Sequence, residues 1–302
     1  MEQHEPVMER REAVMKQCEP GRERYELAMK WVREAGDMLR RMRKSSLDIA
    51  EKSGHQDIVT RCDREIERFL RQRIWNLFPD DRIVGEEYTA AEFRSDRVKE
   101  QYAAELRSDQ VKEQYAAAVW FLDPIDGTTN FVNQSCDYAV SVGCIAGGGP
   151  QFGIVLDVEG GRLYSAKEGG GAWMNGCRLH TAENQQVKDM LLTTPCVTEL
   201  FLGSYREKEG ISRLAMDVRA VRSTGSIALE LCHVASGRAD LCIALKSSPW
   251  DHNAARLILA EAGGAIQSLE GGELPYYGDS AFVAAGSEEA VKKIKKEYLE
   301  HL

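Results

Sequence analysis

Asp123 and Asp126 stand three residues apart where the apolar run at 119–122 ends, inside WFLDPIDGTTNF at residues 120–131. Two carboxylates so spaced at a strand end can share a hard cation. Pro124 fixes φ and withholds a backbone donor, so the Ile125 carbonyl can turn toward the same point and bring the oxygen donors to three. Gly127 then permits close backbone approach, and amides at a helix start near Thr128 can receive a phosphate. Aspartate is also a good turn and cap residue, so a lone DxxD is equally compatible with plain turn chemistry.

Further acids extend the pattern. Glu86, in the GEE at 85–87, follows the short apolar segment 82–84 and so lies at a strand end, where α/β proteins gather ligands. Asp251, in SPWDHNAARLILAEAGG, heads a helix as its N-cap, with the apolar stripe Ala254, Ala255, Ile258, Leu259 and Ala262 behind it and Gly263–Gly264 as the stop. Were Glu86, Asp123, Asp126 and Asp251 to converge, each pair at ~4 Å would repel by about 4 kcal/mol at an effective dielectric near 20, so the group would need cations. All-oxygen ligands favour Mg²⁺ or Mn²⁺ over zinc. His252 reads as a polar first-turn residue turned away from such a site, and Cys232-His233 as core and surface in turn. The glycines at 169–171 form a tight turn, since no P-loop Lys-Ser or Lys-Thr follows.

These acids need elements to hold them. Ala28, Trp31, Val32, Ala35, Met38, Leu39 and Met42 repeat at helical steps and predict a helix of about twenty residues. A second stripe, Cys62, Ile66, Phe69, Leu70, Ile74 and Leu77, ends at Pro79. The basic cluster Arg40, Arg41, Arg43 and Lys44 reads as a solvated helix face. From Val119 onward short β-branched or aromatic runs at 119–123, 138–146, 152–159 and 162–168, with turns at 147–150 and 159–161, predict antiparallel strands. Strands at 218–221, 240–245, 265–268 and 281–285 and helices at 226–236 and 253–262 follow, with a charged helix last. The expected fold is α/β, an α+β half at 21–190 carrying most of the candidate metal site and an α/β half at 191–302 carrying Asp251, behind an N-terminal extension at 1–20.

Composition bounds the function. The 302 residues are 43% apolar and 29% charged, which excludes disorder and collagen-like repeats. A net charge of −9 speaks against a general nucleic-acid footprint. The eight cysteines form no CxxC pair and read as reduced thiols, and the longest apolar run, 116–122, is too short for a bilayer. A cytoplasmic protein without a membrane partner is the expectation. One tandem duplication, RSDRVKEQYAAEL at 94–106 followed by RSDQVKEQYAAAV at 107–119, reads as a surface helix or insertion.

GEE, WFLDPIDGTTNF and PWD, in that order, resemble the inositol monophosphatase family among the lithium-sensitive, magnesium-dependent sugar phosphatases, whose fold is an alternating αβαβα layered sandwich. KSGHQDIVTRCD at 52–63 is similar to the family's mobile metal-site loop, GGGAWMNGCRL at 169–179 to its GxxxNGxxL turn, and residues 222–240 to its substrate-side strand and helix. The resemblance implies that Glu86, Asp123 and the Ile125 carbonyl hold one Mg²⁺, that Asp123, Asp126 and Asp251 hold a second, and that a third sits near Glu86. It implies that Thr128, backed by Asp63, orients the attacking water, that the Gly127 and Thr128 amides grip the phosphate, and that Asp126, Gly225, Ser226 and Asp251 lie along the substrate. The reaction implied is hydrolysis of a small polyol or sugar phosphomonoester, nominally inositol 1-phosphate, by a lithium-sensitive homodimer. Fructose-1,6-bisphosphatase or another sugar or nucleotide phosphatase is the nearest alternative, and a regulatory partner of transcription machinery is the alternative from another class. One position departs from the pattern: seven residues before Asp251, where inositol-specific members usually carry an acid, stands Ala244.

Overall fold

The computed structural model describes residues 20–44, 47–54, 57–87, 117–182, 184, 186–195, 197 and 208–299. The N-terminal extension up to residue 19 and the duplicated segment up to residue 116 lie outside them.

The first periodic stripe forms helix α1 (Pro20–Met42) and the second forms α2 (Arg61–Leu77), joined through a small antiparallel pair, β1 (Ala50–Gly54) and β2 (Asp57–Val59). The segment read as a loop at 52–63 is thus largely that strand pair and the capped start of α2. Trp31, Val32, Ala35, Leu39, Cys62, Ile66, Leu70 and Ile74 are buried together, whereas Leu77, expected in the stripe, is exposed. The apolar face of both helices covers one side of a seven-stranded sheet.

That sheet runs β3 (Arg82–Gly85), β4 (Val119–Asp126), β5 (Ala139–Ala146), β6 (Gly149–Asp157), β7 (Arg162–Lys167), β8 (Ala172–Met174) and β9 (Cys177–Arg178) in chain order. All neighbours are antiparallel except β3 and β4, which are parallel and so end side by side. Period-two alternation sorts the side chains: Trp120, Leu122, Val140, Val142, Phe152 and Ile154 face the helices, while Ala139 and Val155 face the opposite layer.

A second sheet has the order β11 (Ala220–Arg222), β10 (Leu191–Thr193), β12 (Leu241–Ser247), β14 (Ser280–Ala285) and β13 (Ala265–Ser268). Val218, expected within a strand, precedes β11, and β12 runs two residues past its expected end. Short helix α3 (Thr128–Asn133) follows β4, and helices α4 (Lys208–Asp217), α5 (Ile227–Ala235), α6 (Pro249–Glu261) and α7 (Glu288–Ile294) complete the main elements. Cys242, Ala244, Phe282 and Ala284 pack on α5 and α6 from below as Ala139, Val155, Tyr164 and Ala166 do from above, so these two helices form a middle layer. Leu241, Ile243, Val283 and Ala285 point the other way, onto Ile211 and Leu214 of α4 and Val291 and Ile294 of α7. Helices, sheet, helices, sheet, helices follow in turn, the αβαβα order expected.

The middle layer lies close on the large sheet. A Cβ built on Gly143 would come 3.1 Å from the Ala254 nitrogen, and one on Gly153 2.1 Å from the Ala254 carbonyl oxygen. Two glycines in adjacent strands therefore let the backbone of α6 settle onto β5 and β6, three residues past Asp251.

Candidate active site

The parallel pair β3 and β4 delivers its acids to one edge. Glu86 lies one residue beyond β3, its amide donating to the Leu122 carbonyl at 3.3 Å. Along β4 the pairing with β5 is regular to Asp123, breaks over Pro124 and Ile125, and resumes at Asp126 opposite Ala139. Proline's missing donor explains the break, and the Asp123 Oδ1 fills the gap by accepting from the Ile125 amide at 3.0 Å. Asp123 is 2% and Asp126 8% exposed. Gly127, at φ +95, caps the start of α3 in a conformation that a side chain disfavours.

Asp126 reaches across the molecule. Its Oδ2 accepts from Ser226 Oγ at 2.7 Å and from the Ala228 amide at 2.6 Å, at the N-terminus of α5. Asp251 comes from the opposite side, on the first turn of α6. The sequence reading made it the N-cap; that position belongs to Ser248, Pro249 opens the helix, and Asp251 sits three residues in, its Oδ2 accepting from the Ser248 amide at 2.7 Å. Pro at the first helical position with an acid two further on is the signal that reading passed over.

Glu86, Asp123, Asp126 and Asp251 thus feel one another. Burial pushes Asp123 well above the usual carboxylate range, and Glu86, Asp126 and Asp251 push it further. Burial, then Asp126, does the same for Asp251. Burial lifts Asp126 to about 6 despite the Ser226 and Ala228 donors. Among the described residues no three His, Cys, Asp or Glu side chains are already drawn close enough together to hold a metal ion, and no ion pair among them reaches Asp123, Asp126 or Asp251. The donors are all oxygen and collectively over-charged for their burial, which fits a hard divalent cation.

Asp63 joins α2 to α3. It closes a capping box with Thr60, accepting from the Thr60 amide at 2.7 Å and hydroxyl at 2.6 Å, and its Oδ1 faces the Thr128 hydroxyl at 3.2 Å. Burial pushes Asp63 up to about 6. Thr128 Oγ1 also lies 3.1 Å from the Ile125 carbonyl, so the hydroxyl sits between a candidate base and a candidate ligand oxygen. Gly225 and Ser226 lie at the turn into α5, beside Asn130 and Asp126.

Several neighbours carry roles that sequence reasoning did not assign. Lys52 of β1 bridges Glu86, at 2.8 Å, and Glu87. Burial opposes its charge, but the two carboxylates outweigh burial and raise it. Glu67 and Arg71 continue the Asp63 face of α2 at four-residue steps; Glu67 accepts from the Glu87 amide at 2.7 Å and pairs with Arg71 at 2.6 Å. Acids and bases at i, i+4, i+8 beside an apolar stripe were the visible signal. His252, in the first turn of α6, is wholly buried, with Ser247 Oγ 2.8 Å from its Nδ1, and burial lowers it to about 4. Ala244 is also wholly buried, paired with Phe282 inside the apolar middle layer.

Similarity to known proteins agrees with this architecture. The chain is 35% identical over 276 residues to inositol-1-monophosphatase of Bacillus subtilis (strain 168), covering 91% of this chain and 96% of that one. It is 29% identical to fructose-1,6-bisphosphatase/inositol-1-monophosphatase of Thermotoga maritima, covering 93% and 98%. The crystal structure of inositol monophosphatase-II from Staphylococcus aureus MSSA476 superposes with a TM-score of 0.76 at 28% identity, covering 91% and 93%. No described helix is long and apolar enough to cross a membrane. The inositol monophosphatase family matches residues 21–301, so the chain belongs to that family of metal-dependent phosphoric monoester hydrolases.

Proposed function

We propose that this chain hydrolyses a small polyol or sugar phosphomonoester, nominally inositol 1-phosphate, in a Mg²⁺-dependent reaction. The observation that carries the reading is the set of Glu86, Asp123, Asp126 and Asp251, three of them shifted upward by burial and by one another. Glu86, Asp123, Asp126, Asp251 and the Ile125 carbonyl are the residues to hold two or three Mg²⁺, with Mn²⁺ as the substitute. Held there, a divalent cation supplies Lewis acidity toward water and the phosphoryl oxygens.

The chain's own groups complete the work. The Thr128 hydroxyl orients the attacking water and can pass its proton to Asp63, whose value near 6 suits a base at neutral pH. The Gly127 and Thr128 amides face the phosphate, and Asp126, Gly225, Ser226 and Asp251 border the alcohol portion. A substrate panel with Mg²⁺ tests the reading: turnover of inositol 1-phosphate or another member supports it, and folded protein inactive on every member sinks it. Lithium at millimolar concentration is expected to inhibit, and homodimers are expected by sedimentation.

Ala244, in place of the acid that inositol-specific members usually carry there, favours breadth of substrate. No acid at that position meets a ring hydroxyl, so fructose 1,6-bisphosphate belongs in the panel, as the name of the Thermotoga maritima relative suggests.

A further inference from the structure

Glu230 is a carboxylate of α5 with none of its surface exposed, and it touches none of the candidate ligands. Its Oε1 turns back past the start of its own helix. It accepts from the Thr224 amide at 2.7 Å, the Thr224 hydroxyl at 3.2 Å and the Gly225 amide at 3.3 Å. Three donors on one oxygen hold a short turn whose middle residue, Gly225, sits at φ +76. The other carboxylate oxygen lies 4.0 Å from Cys242 Sγ on β12, against the second sheet.

The same turn is held from the opposite direction. Asn130, on α3 just past the Asp126–Gly127 corner, donates to the Thr224 carbonyl at 2.5 Å and to the Asp137 carbonyl at 2.8 Å. A Cβ on Gly225 would come 3.3 Å from the Asn130 amide nitrogen, so the turn and the asparagine fit closely. Immediately beyond the turn, Ser226 and the Ala228 amide hold Asp126. The turn is therefore clamped between two halves of the molecule, and its far end sets the direction of a carboxylate in the site.

We infer that Glu230 is a positioning residue that acts through the 224–226 turn to aim the Asp126 carboxylate. The inference rests on the proposed reaction for its kinetic consequence, but not for the mechanical one. Burial lifts Glu230 to about 7, and the Thr224 and Gly225 donors pull it back, so those donors are also what allow an enclosed charge near neutral pH. Removing the acceptor leaves the amides of half-buried Thr224 and exposed Gly225 without the partner that holds the turn. The turn then relaxes toward water, and Ser226 and Ala228 move with it.

Glu230→Ala and Glu230→Gln, each checked for folding by its melting curve, test this. In hydrogen exchange on protein without substrate or cation, Glu230→Ala is expected to speed exchange at Thr224 and Gly225 and also at Ala228, whose amide meets Asp126. Glu230→Gln, which keeps an acceptor of the same size, is expected to restore most of that protection. In turnover, Glu230→Ala is expected to lower kcat about tenfold with KM within about twofold, the signature of a group that matters in the transition state. The double variant with Ser226→Ala is expected to lose no more than Ser226→Ala alone. Unchanged Ala228 exchange in folded Glu230→Ala overturns the inference, leaving Glu230 a local cap of its own turn. Full additivity with Ser226→Ala does the same. If the parent hydrolyses no phosphomonoester, the proposed reaction fails, while the exchange experiment still decides the coupling.

Discussion

The two flanks of the site neutralise their acids in opposite ways. On the outer flank, Glu86 and Glu87 are partly exposed and share a protein cation, Lys52. On the inner flank, Asp123 and Asp126 are buried, Asp251 is half-buried, and their partners are neutral: the Ile125, Ala228 and Ser248 amides and the Ser226 hydroxyl. Neutral donors can aim a carboxylate and lessen its desolvation, but they leave the net charge in place. The inner flank thus retains the demand for a cation that the outer flank has partly met, and chemistry that needs a metal belongs on the inner side.

Breaking the inner flank has the largest expected effect. Asp123→Asn or Asp251→Asn should lower kcat by roughly a thousandfold or more, since each removes a charged candidate ligand from a group proposed to act as a unit; activity within tenfold of the parent would dissolve the distinction between the flanks. Ser226→Ala, which removes an aiming donor and no charge, should cost about tenfold in kcat. Comparing the two separates charge from orientation.

Proton linkage sharpens the contrast without substrate. Asp63 and Asp126 stand at about 6, and Glu87 and Glu230 at about 7, against ordinary values of 3.8 and 4.5. Between about pH 4 and 7 these four carboxylates hold more protons folded than unfolded, while His233 and His252, lowered to about 4 by burial, hold fewer; the carboxylates outnumber the histidines, so the unfolding free energy is expected to fall as pH rises through that window. Urea melts in chelator are expected to show lower stability at pH 7.5 than at pH 5.5, and saturating Mg²⁺ should flatten the difference. A chelated protein that gains stability with rising pH would contradict the upward shifts of these buried carboxylates.

The smallest effect is expected on the outer side. Lys52→Met should change kcat by no more than about threefold, because a partly exposed ion pair contributes little, while tightening the weakest Mg²⁺ step seen by calorimetry as Glu86 is freed. A loss comparable to that of Asp123→Asn would place Lys52 among the groups that touch the reacting atoms.

Much of this arrangement is legible in the sequence because the signals are local. The apolar run before Asp123, the proline after it and the glycine at 127 specify a strand, a break and a corner within a few residues, and the stripes of α1 and α2 repeat at helical steps. What escaped reading is set by distance along the chain. That Asp126 would be held by residues a hundred positions later, or Glu86 by a lysine of an earlier strand, depends on two sheets and two helix layers closing over one another. Glu230 was hidden for a different reason: in an apolar helical stretch it looks like one polar position among hydrophobic ones, and only the fold shows that it points back along its own helix into the interior. Asp251 lies three positions inside its expected N-cap place because Ser248, Pro249 and Asp251 are all plausible helix openers, and the hydrogen bond from the Ser248 amide decides among them.

The glycines at 143 and 153 give the inner flank a vulnerability that no catalytic motif reveals. They carry no side chain, touch no candidate ligand and lie on strands that supply no acid to the site, yet the depth to which α6 sinks is limited there by bare backbone. A single methyl at 153, meeting the Ala254 oxygen at 2.1 Å, would have to lift the helix or bend the sheet by about an ångström to reach ordinary contact. The front of that helix carries Asp251. A side chain at either position is therefore expected to present as a metal-binding defect in a protein whose every candidate ligand is intact.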